Sequence, residues 1–248
     1  MPTTADVYEY WQAESCGTSH AASRAGTAQY YNEIEAARYR LEPFITSFAQ
    51  FGRWRGREVL ELGVGAGTDF VNFARAGARL HGVDLTASAV DHARHRLALE
   101  GLDAELAVAN GESLPFDDAA FDLVYSWGVI HHAEHPPRVL REIRRVTKPD
   151  GEVRAMLYGR HSWVGYGLWA RHALLAGHPG RSLSQVIASH MESPGTRAYT
   201  RNELRLMFEA AGFDRVELTG FPTPYDRRVA GPVARLVRLD WFLGVVAR

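Results

Sequence analysis

Apolar residues recur along the middle of the chain in two alternating patterns. Short apolar runs at 58–62, 79–84, 104–109, 123–126 and 152–158 read as strands, and the stretches between most of them carry apolar positions at helical spacing. The stretch after the first run sets Phe70, Phe73 and Ala74 on one face and stops at Gly77. The next starts at Thr86 or Ser88, buries Val90, Ala93 and Leu97, and ends at Gly101. Pro136 or Pro137 opens another, with Val139, Leu140, Ile143 and Val146 as its apolar face. Lys148-Pro149-Asp150-Gly151 reads as a turn into the fifth strand, and Thr200-Arg201-Asn202-Glu203 as a capping box for a helix through Leu204, Met207 and Phe208 to Gly212. A sixth strand follows at 216–220. Alternation of this kind predicts an α/β fold, a doubly wound and mostly parallel sheet covered on both faces.

Two segments do not fit the alternation. Residues 1–52 are rich in aromatic side chains, Tyr8, Tyr10, Trp11, Tyr30, Tyr31 and Tyr39, with Glu33, Glu35 and Arg38 between them. They read as a helical lid packed on the sheet edge. Residues 159–199 are too long for a bare connection and carry Trp163, Tyr166, Trp169, His172 and His178. They read as a cap insertion, with 191–200 returning as a loop toward the cleft. The expected organisation is therefore lid 1–52, core 53–158, cap 159–199 and core completion 200–248.

Composition narrows the function classes. A chain of 248 residues with net charge -1 offers no electrostatic footprint for nucleic acid or an anionic membrane. No target-base motif such as N-P-P-Y or a catalytic Pro-Cys occurs either. Cys16 is the single cysteine, which leaves neither an internal disulfide nor a cysteine-cluster metal site and fits a reducing cytoplasm. No secretory signal and no apolar run of membrane-spanning length is present, so a cytoplasmic location is expected. The partner expected is a small molecule, with the protein a monomer or a homodimer.

The chemistry starts at Val59-Leu60-Glu61-Leu62-Gly63-Val64-Gly65-Ala66-Gly67-Thr68. Glycines at 63, 65 and 67 allow a tight strand-to-helix turn and keep side chains away from a ligand approaching the backbone. Plain turn chemistry alone also uses such glycines. A nicotinamide-dinucleotide fingerprint would need its third glycine where Thr68 stands, and Glu61 lies two positions before the first glycine.

Glu61 to Thr68 resembles the first motif, E/D-x-G-x-G-x-G, of the class I S-adenosylmethionine-dependent methyltransferases. Three further segments follow in that family's order: His81-Gly82-Val83-Asp84-Leu85, then Asn110-Gly111-Glu112 with Leu114-Pro115-Phe116, then Phe121 to His132. The resemblance covers residues 56–158 well, the tail loosely and the first fifty hardly at all. It implies a Rossmann-like core of seven strands, the last antiparallel and inserted beside the fifth. The aromatic and β-branched run 241–247 suits that strand better than an amphipathic surface helix. It further implies S-adenosylmethionine as cofactor and S-adenosylhomocysteine as product, held by Glu61, Gly63, Gly65, Gly67, Thr68, Asp84, Leu85, Asn110, Gly111, Glu112 and Ser126. In this reading Asp84 receives the ribose hydroxyls, because a carboxylate accepts two hydrogen bonds in a fork.

Ligands of open parallel sheets bind outside the carboxyl ends of the strands, which groups the glycine turn, Asp84, Asn110, 126–132 and 158–161 around one crevice. Methyl transfer from a sulfonium asks mainly for proximity, alignment and exclusion of water. A hydroxyl acceptor also needs a base, and His131 or His132 stands where the fourth strand ends. The other reading is that both merely bond the loop. Tyr30 or Tyr31 is expected to close over the sulfonium, whose charge favours an aromatic face, and Tyr31 joins the catalytic candidates. No acidic pattern accompanies His131, His132 and His135, so no metal is expected. The expected activity is methylation of a small molecule, oxygen favoured over nitrogen or carbon, in specialised metabolism. The rivals are a non-catalytic S-adenosylmethionine-binding protein and a nicotinamide oxidoreductase.

Overall fold

Strand β1 (Glu58–Leu62) is buried along nearly its whole length, as a strand with sheet neighbours on both sides and helices above and below has to be. The computed structural model describes residues 3–13, 15, 17–193, 195–235 and 237–248; Cys16, and Pro194 of the returning loop, lie outside the described residues. With β1 it forms β2 (Arg79–Asp84), β3 (Glu105–Val108), β4 (Phe121–Trp127), β5 (Thr147–Tyr158), β6 (Val216–Phe221) and β7 (Phe242–Ala247). These make one sheet in the order β3-β2-β1-β4-β5-β7-β6. All neighbours pair in parallel except β7, which runs antiparallel between β5 and β6. This is the seven-stranded Rossmann-like sheet that the resemblance implies, and Phe242–Ala247 of the aromatic and β-branched run is the inserted strand that its residue types called for.

Between these strands lie the helices. Helices α1 (Thr4–Ala13), α2 (Ala28–Leu41) and α3 (Ile45–Ala49) precede the sheet. Helices α4 (Thr68–Arg75), α5 (Ala87–Leu99) and α6 (Pro136–Val146) connect its parallel strands. Helices α7 (Trp163–Trp169) and α8 (Leu183–His190) occupy the insertion, and α9 (Arg201–Ala210) and α10 (Pro224–Ala230) flank β6. Thr86 caps α5 through its hydroxyl, and Thr200 with Glu203 closes the capping box of α9. One difference concerns 148–151. There β5 advances from Thr147 to Glu152 while its partner advances only from Phe121 to Leu123, so the expected turn is held inside a longer strand as a register break.

Alternation along the strands divides the core in two. Val59, Leu123, Tyr125 and Trp127 face α3, α4 and α5, whereas Leu60, Leu62 and Val124 face α6 and α9. Around the first layer runs an aromatic seam in which Phe44 stacks on Phe221 at 4.5 Å and Trp127 stands within 6.2 Å of Phe44, Phe48, Phe221 and Phe242. The residues before β1 are therefore built into the core, and α3 contributes Ile45, Phe48 and Ala49 to it.

Glu152 on β5 holds this junction electrostatically. Its carboxylate accepts from Arg53 (3.2 Å), from Arg154 Nε (2.5 Å) and from Arg248 (2.5 Å), and Arg154 continues to the Phe48 carbonyl and to Gln50 at 2.9 Å. Burial pushes the Glu152 carboxyl up, but the bonds from Arg248 and Arg154 prevail and hold it below its ordinary 4.5. A depressed carboxyl stabilises the fold above the unfolded value and loses that contribution as pH falls through the folded one. Glu152→Gln is expected to cost about 3 kcal/mol at neutral pH, because Arg154 is left buried with a neutral partner. Denaturant melts at successive pH values check this: the gap between parent and variant closes as pH drops below the ordinary carboxylate range.

Candidate active site

Strand order reverses between β1 and β4, so the loops leaving their carboxyl ends part to opposite faces and leave a crevice. A cavity of about 770 Å³ fills it. The glycine turn after β1 makes one wall. Gly63 has φ +82°, and a Cβ there would lie 2.2 Å from the Val129 side chain, so only glycine fits. Gly65 N–H donates to Asp84 Oδ2 at 3.1 Å, tying the turn to the end of β2. The other Asp84 oxygen accepts from Thr86 N–H and hydroxyl, each at 3.0 Å. Leu85, Thr68, Asn110, Gly111 and Glu112 line the same space. Asn110 Oδ1 accepts from Glu112 N–H at 2.9 Å, and the Glu112 carboxylate accepts from His135 N–H at 2.7 Å.

Gly67 differs from the two glycines before it. It lies outside the cavity wall, and its own Cβ would meet Ala93 Cα at 3.0 Å. That glycine serves the close packing of α4 against α5.

Behind the turn sits a buried charge cluster. Asp69, in the first turn of α4, accepts from Arg38 at 2.8 Å and from the hydroxyls of Tyr39 and Tyr125, each at 3.0 Å. Arg38 also stands 3.7 Å from Glu42, whose carboxylate accepts from Trp127 Nε1 at 2.9 Å. Glu61 faces the cavity from β1, and its Oε2 has no hydrogen-bond partner among the described residues. Burial, with the charge of Asp69 added, raises the Glu61 carboxyl well above its ordinary value. An unpartnered buried carboxyl beside a cavity is a receptor for a cationic group.

His132 closes the other end of the cavity. Its Nδ1 lies 2.7 Å from Ser193 Oγ and 3.1 Å from Thr196 Oγ1, both brought by the loop after α8. Thr196 also donates its hydroxyl hydrogen to the Ser193 carbonyl at 2.8 Å, so the two hydroxyls, tied to one another through that loop, hold the Nδ1 side of the ring. Nε2 has no hydrogen-bond partner among the described residues and stands 3.9 Å from Glu192 Oε2. Burial lowers the ring to about 3, so it is neutral at physiological pH. Trp11 of α1 packs edge-on to it at 5.3 Å, and Thr4 of α1 bonds Glu134 at 2.7 Å, carrying that helix across the cavity.

Besides Gly67, five expected residues lie outside the cavity wall: Tyr30, Tyr31, Ser126, His131 and His161. Tyr31 is buried against Tyr30 and Ile34, its hydroxyl 3.0 Å from His92 Nδ1, and neither Tyr30 nor Tyr31 lines the cavity. Helical spacing put that pair on the face of α2 that packs on α5. His131 is fully buried 4.0 Å from the Tyr158 ring and outside the wall, so His132 alone of the pair reaches the ligand space. Ser126 falls on the opposite face of β4 from Tyr125 and Trp127, as the period of two requires. His161 turns outward and pairs with the Tyr166 hydroxyl at 2.9 Å. Glu42, Glu192, Ser193 and Thr196 were not singled out. Glu192 to Thr196 carried a signal in the returning loop, whereas nothing in the pattern around Glu42 distinguished it.

Among the described residues no group of three His, Cys, Asp or Glu is arranged to hold a metal ion, and no helix is long and apolar enough to cross a membrane.

Residues 60–155 match the family model of a methyltransferase domain. A malonyl-(acyl-carrier protein) O-methyltransferase of Halorhodospira halophila is 30% identical over 154 residues, 58% of this chain and 52% of that protein. An uncharacterised protein of Mycobacterium tuberculosis is 30% identical over 131 residues, 53% of this chain and 45% of that one. The chain thus spans about half the length of these curated relatives. Among solved structures, geranyl diphosphate C-methyltransferase from Streptomyces coelicolor is similar over 100% of this chain and 97% of its own, with TM-score 0.67 and 19% identity. A methyltransferase from Aquifex aeolicus covers 88% of this chain and 95% of its own, with TM-score 0.59 and 18% identity. At such identities the structures show the shared fold.

The charge cluster generates a prediction. Arg38→Met removes the cation serving Asp69 and Glu42 and is expected to cost about 3 kcal/mol at pH 8, because buried carboxylates are left unpaired. Carboxylates without their cation prefer the protonated form in the folded state, so the deficit shrinks toward pH 5. Thermal melts of parent and variant at the two pH values read it directly.

Proposed function

Residues 60–155 belong to the class I S-adenosylmethionine-dependent methyltransferases, and from that premise we propose that the protein moves a methyl group from S-adenosylmethionine to a hydroxyl on a small molecule. One observation supports this most: the glycine turn, Asp84 and Asn110 line the same cavity as His132 and Glu192, so cofactor and acceptor ends are continuous.

The residues present fit the cofactor. Gly63 and Gly65 leave the backbone open, Asp84 offers its fork to ribose hydroxyls, and Asn110 to Glu112 face the base. Glu61, with its unpartnered Oε2, would take the ammonium of the amino-acid end. When bound, the cofactor supplies an activated methyl on a sulfonium, whose sulfur keeps the bonding pair as the methyl leaves. The chain supplies alignment and a proton acceptor. As the acceptor oxygen bonds carbon, its proton passes to His132 Nε2, and Glu192, 3.9 Å away, stabilises the imidazolium that forms. Ser193 and Thr196 fix the ring. Residues 1–52 act as lid and 159–199 as acceptor cap in this reading, and a stand-alone enzyme of this build suits a biosynthetic role. Methylation of nitrogen is the second reading, favoured by the Glu192 carboxylate beside the base.

Calorimetric titration with S-adenosylmethionine, S-adenosylhomocysteine and NADH tests the cofactor: the sulfur nucleosides bind at micromolar level and NADH does not. Asp84→Ala weakens that binding at least tenfold. His132→Ala keeps it and slows labelled-methyl transfer by about 10²-fold or more. Preference for NADH, or full-rate transfer by His132→Ala, overturns the corresponding assignment.

A further inference from the structure

We propose that the acceptor end of the cavity admits neutral or amine-bearing aromatic molecules, rejects those carrying phosphate or carboxylate, and owes this selection to Glu192. The proposal rests on the methyl-transfer reading only in calling this the acceptor end.

Charge and surface chemistry carry the argument. Away from the glycine turn the cavity presents three carboxylates, Glu42, Glu192 and Glu134, the last bonded to Thr4, and the rings of Trp11, Trp127, Tyr158 and Trp241. Tyr158 and Trp241 stack at 4.3 Å, and the Tyr158 hydroxyl donates to Glu192 Oε2 at 3.1 Å, so the carboxylate is set against an aromatic wall. The Glu192 side chain keeps 45% of its surface open, enough to meet a ligand directly. A ring beside a carboxylate attracts ammonium groups, and flat uncharged molecules gain from the rings alone.

No compensating cation reaches this end among the described residues. Arg38 also lines the cavity, but its charge is already shared by Asp69 at 2.8 Å and Glu42 at 3.7 Å. His132 is uncharged in this setting, and His20 lies exposed at the rim. An anionic acceptor would therefore bring a like charge within a few ångströms of Glu192 in a half-closed, low-dielectric space with nothing to offset it. Repulsion of that kind is a device of specificity as well as a cost in affinity.

The test uses the full chain saturated with S-adenosylhomocysteine and four single-ring probes of similar size: 4-ethylphenol, phenethylamine, 3-phenylpropionate and phenyl phosphate. Calorimetry is expected to show the first two binding at least tenfold more tightly than the last two. Glu192→Gln, which keeps size and fold, narrows the difference to about threefold, and Glu192→Lys reverses it in favour of the anions. A purely structural role for Glu192 would weaken all four probes together without changing their order. Anions binding as tightly as the phenol, an order unaffected by Glu192→Gln and Glu192→Lys, or no binding of any probe overturns the proposal. Failure of S-adenosylhomocysteine to bind counts against the methyl-transfer reading instead, and the same panel on the free protein still reads the charge order.

Discussion

Asp69 is the point through which the parts of this molecule are fastened together. It stands in the first turn of α4, directly after the glycine turn, and gathers Arg38 and Tyr39 from α2 and Tyr125 from β4 onto one carboxylate. A buried carboxylate is costly unless every lone pair is used, so the fold is obliged to bring a cation to it. That obligation fixes α2 over the sheet, and α2 in turn carries Glu42 to the wall of the cavity. The shape of the ligand space thus follows from how one charge is satisfied. Asn72 and the pairs of Arg75 and Arg96 with Glu35 extend the same attachment outward along α2.

Much of this was legible in the residues themselves. The extents of β1 and β2, the caps of α5 and α9 and the apolar face of α6 follow from local rules, periodicity, hydroxyl caps and glycine stops, which need no knowledge of distant contacts. The glycine turn, Asp84 and the 110–112 segment come together because open parallel sheets place such loops at one end. What could not be read was the direction in which individual side chains point once elements pack. Tyr31 and His131 belong to residue types that suit a site, yet the face of α2 and the turn after β4 direct them into the interior. Ser126 lay one residue from a position facing the crevice, and in a strand one residue is a change of face. Glu42 becomes part of the wall through the docking of α2 and its long-range bond with Trp127, for which spacing along the chain gives no sign.

In the proposed reading the chemistry divides between scaffold and insertion. The core supplies the glycine turn, the fork of Asp84 and the histidine, while the loop after α8 supplies the hydroxyls that orient that histidine and the carboxylate beside it. A histidine whose orientation is set by an inserted loop depends on how that loop docks. Arg197 bonds the carbonyl oxygens of Ala133 (2.6 Å) and Glu134 (3.1 Å), and its backbone N–H meets the His131 carbonyl at 3.1 Å, so the docking is made to the histidine turn itself. Orientation and enclosure are therefore properties of one contact surface.

The place of β7 has a consequence for how the molecule is made. Among the described residues its sheet partners are β5 and β6, and β6 joins the sheet through β7. During synthesis β6 leaves the ribosome first and has no ladder to join until β7 follows, while β5 waits with one side unpaired. Such an interval exposes strand edges that invite pairing with other nascent chains. In the finished fold helix α9 packs on both α6 and β6, so its docking ties the edge strand to the body of the sheet independently of β7 and shortens the search for that last pairing.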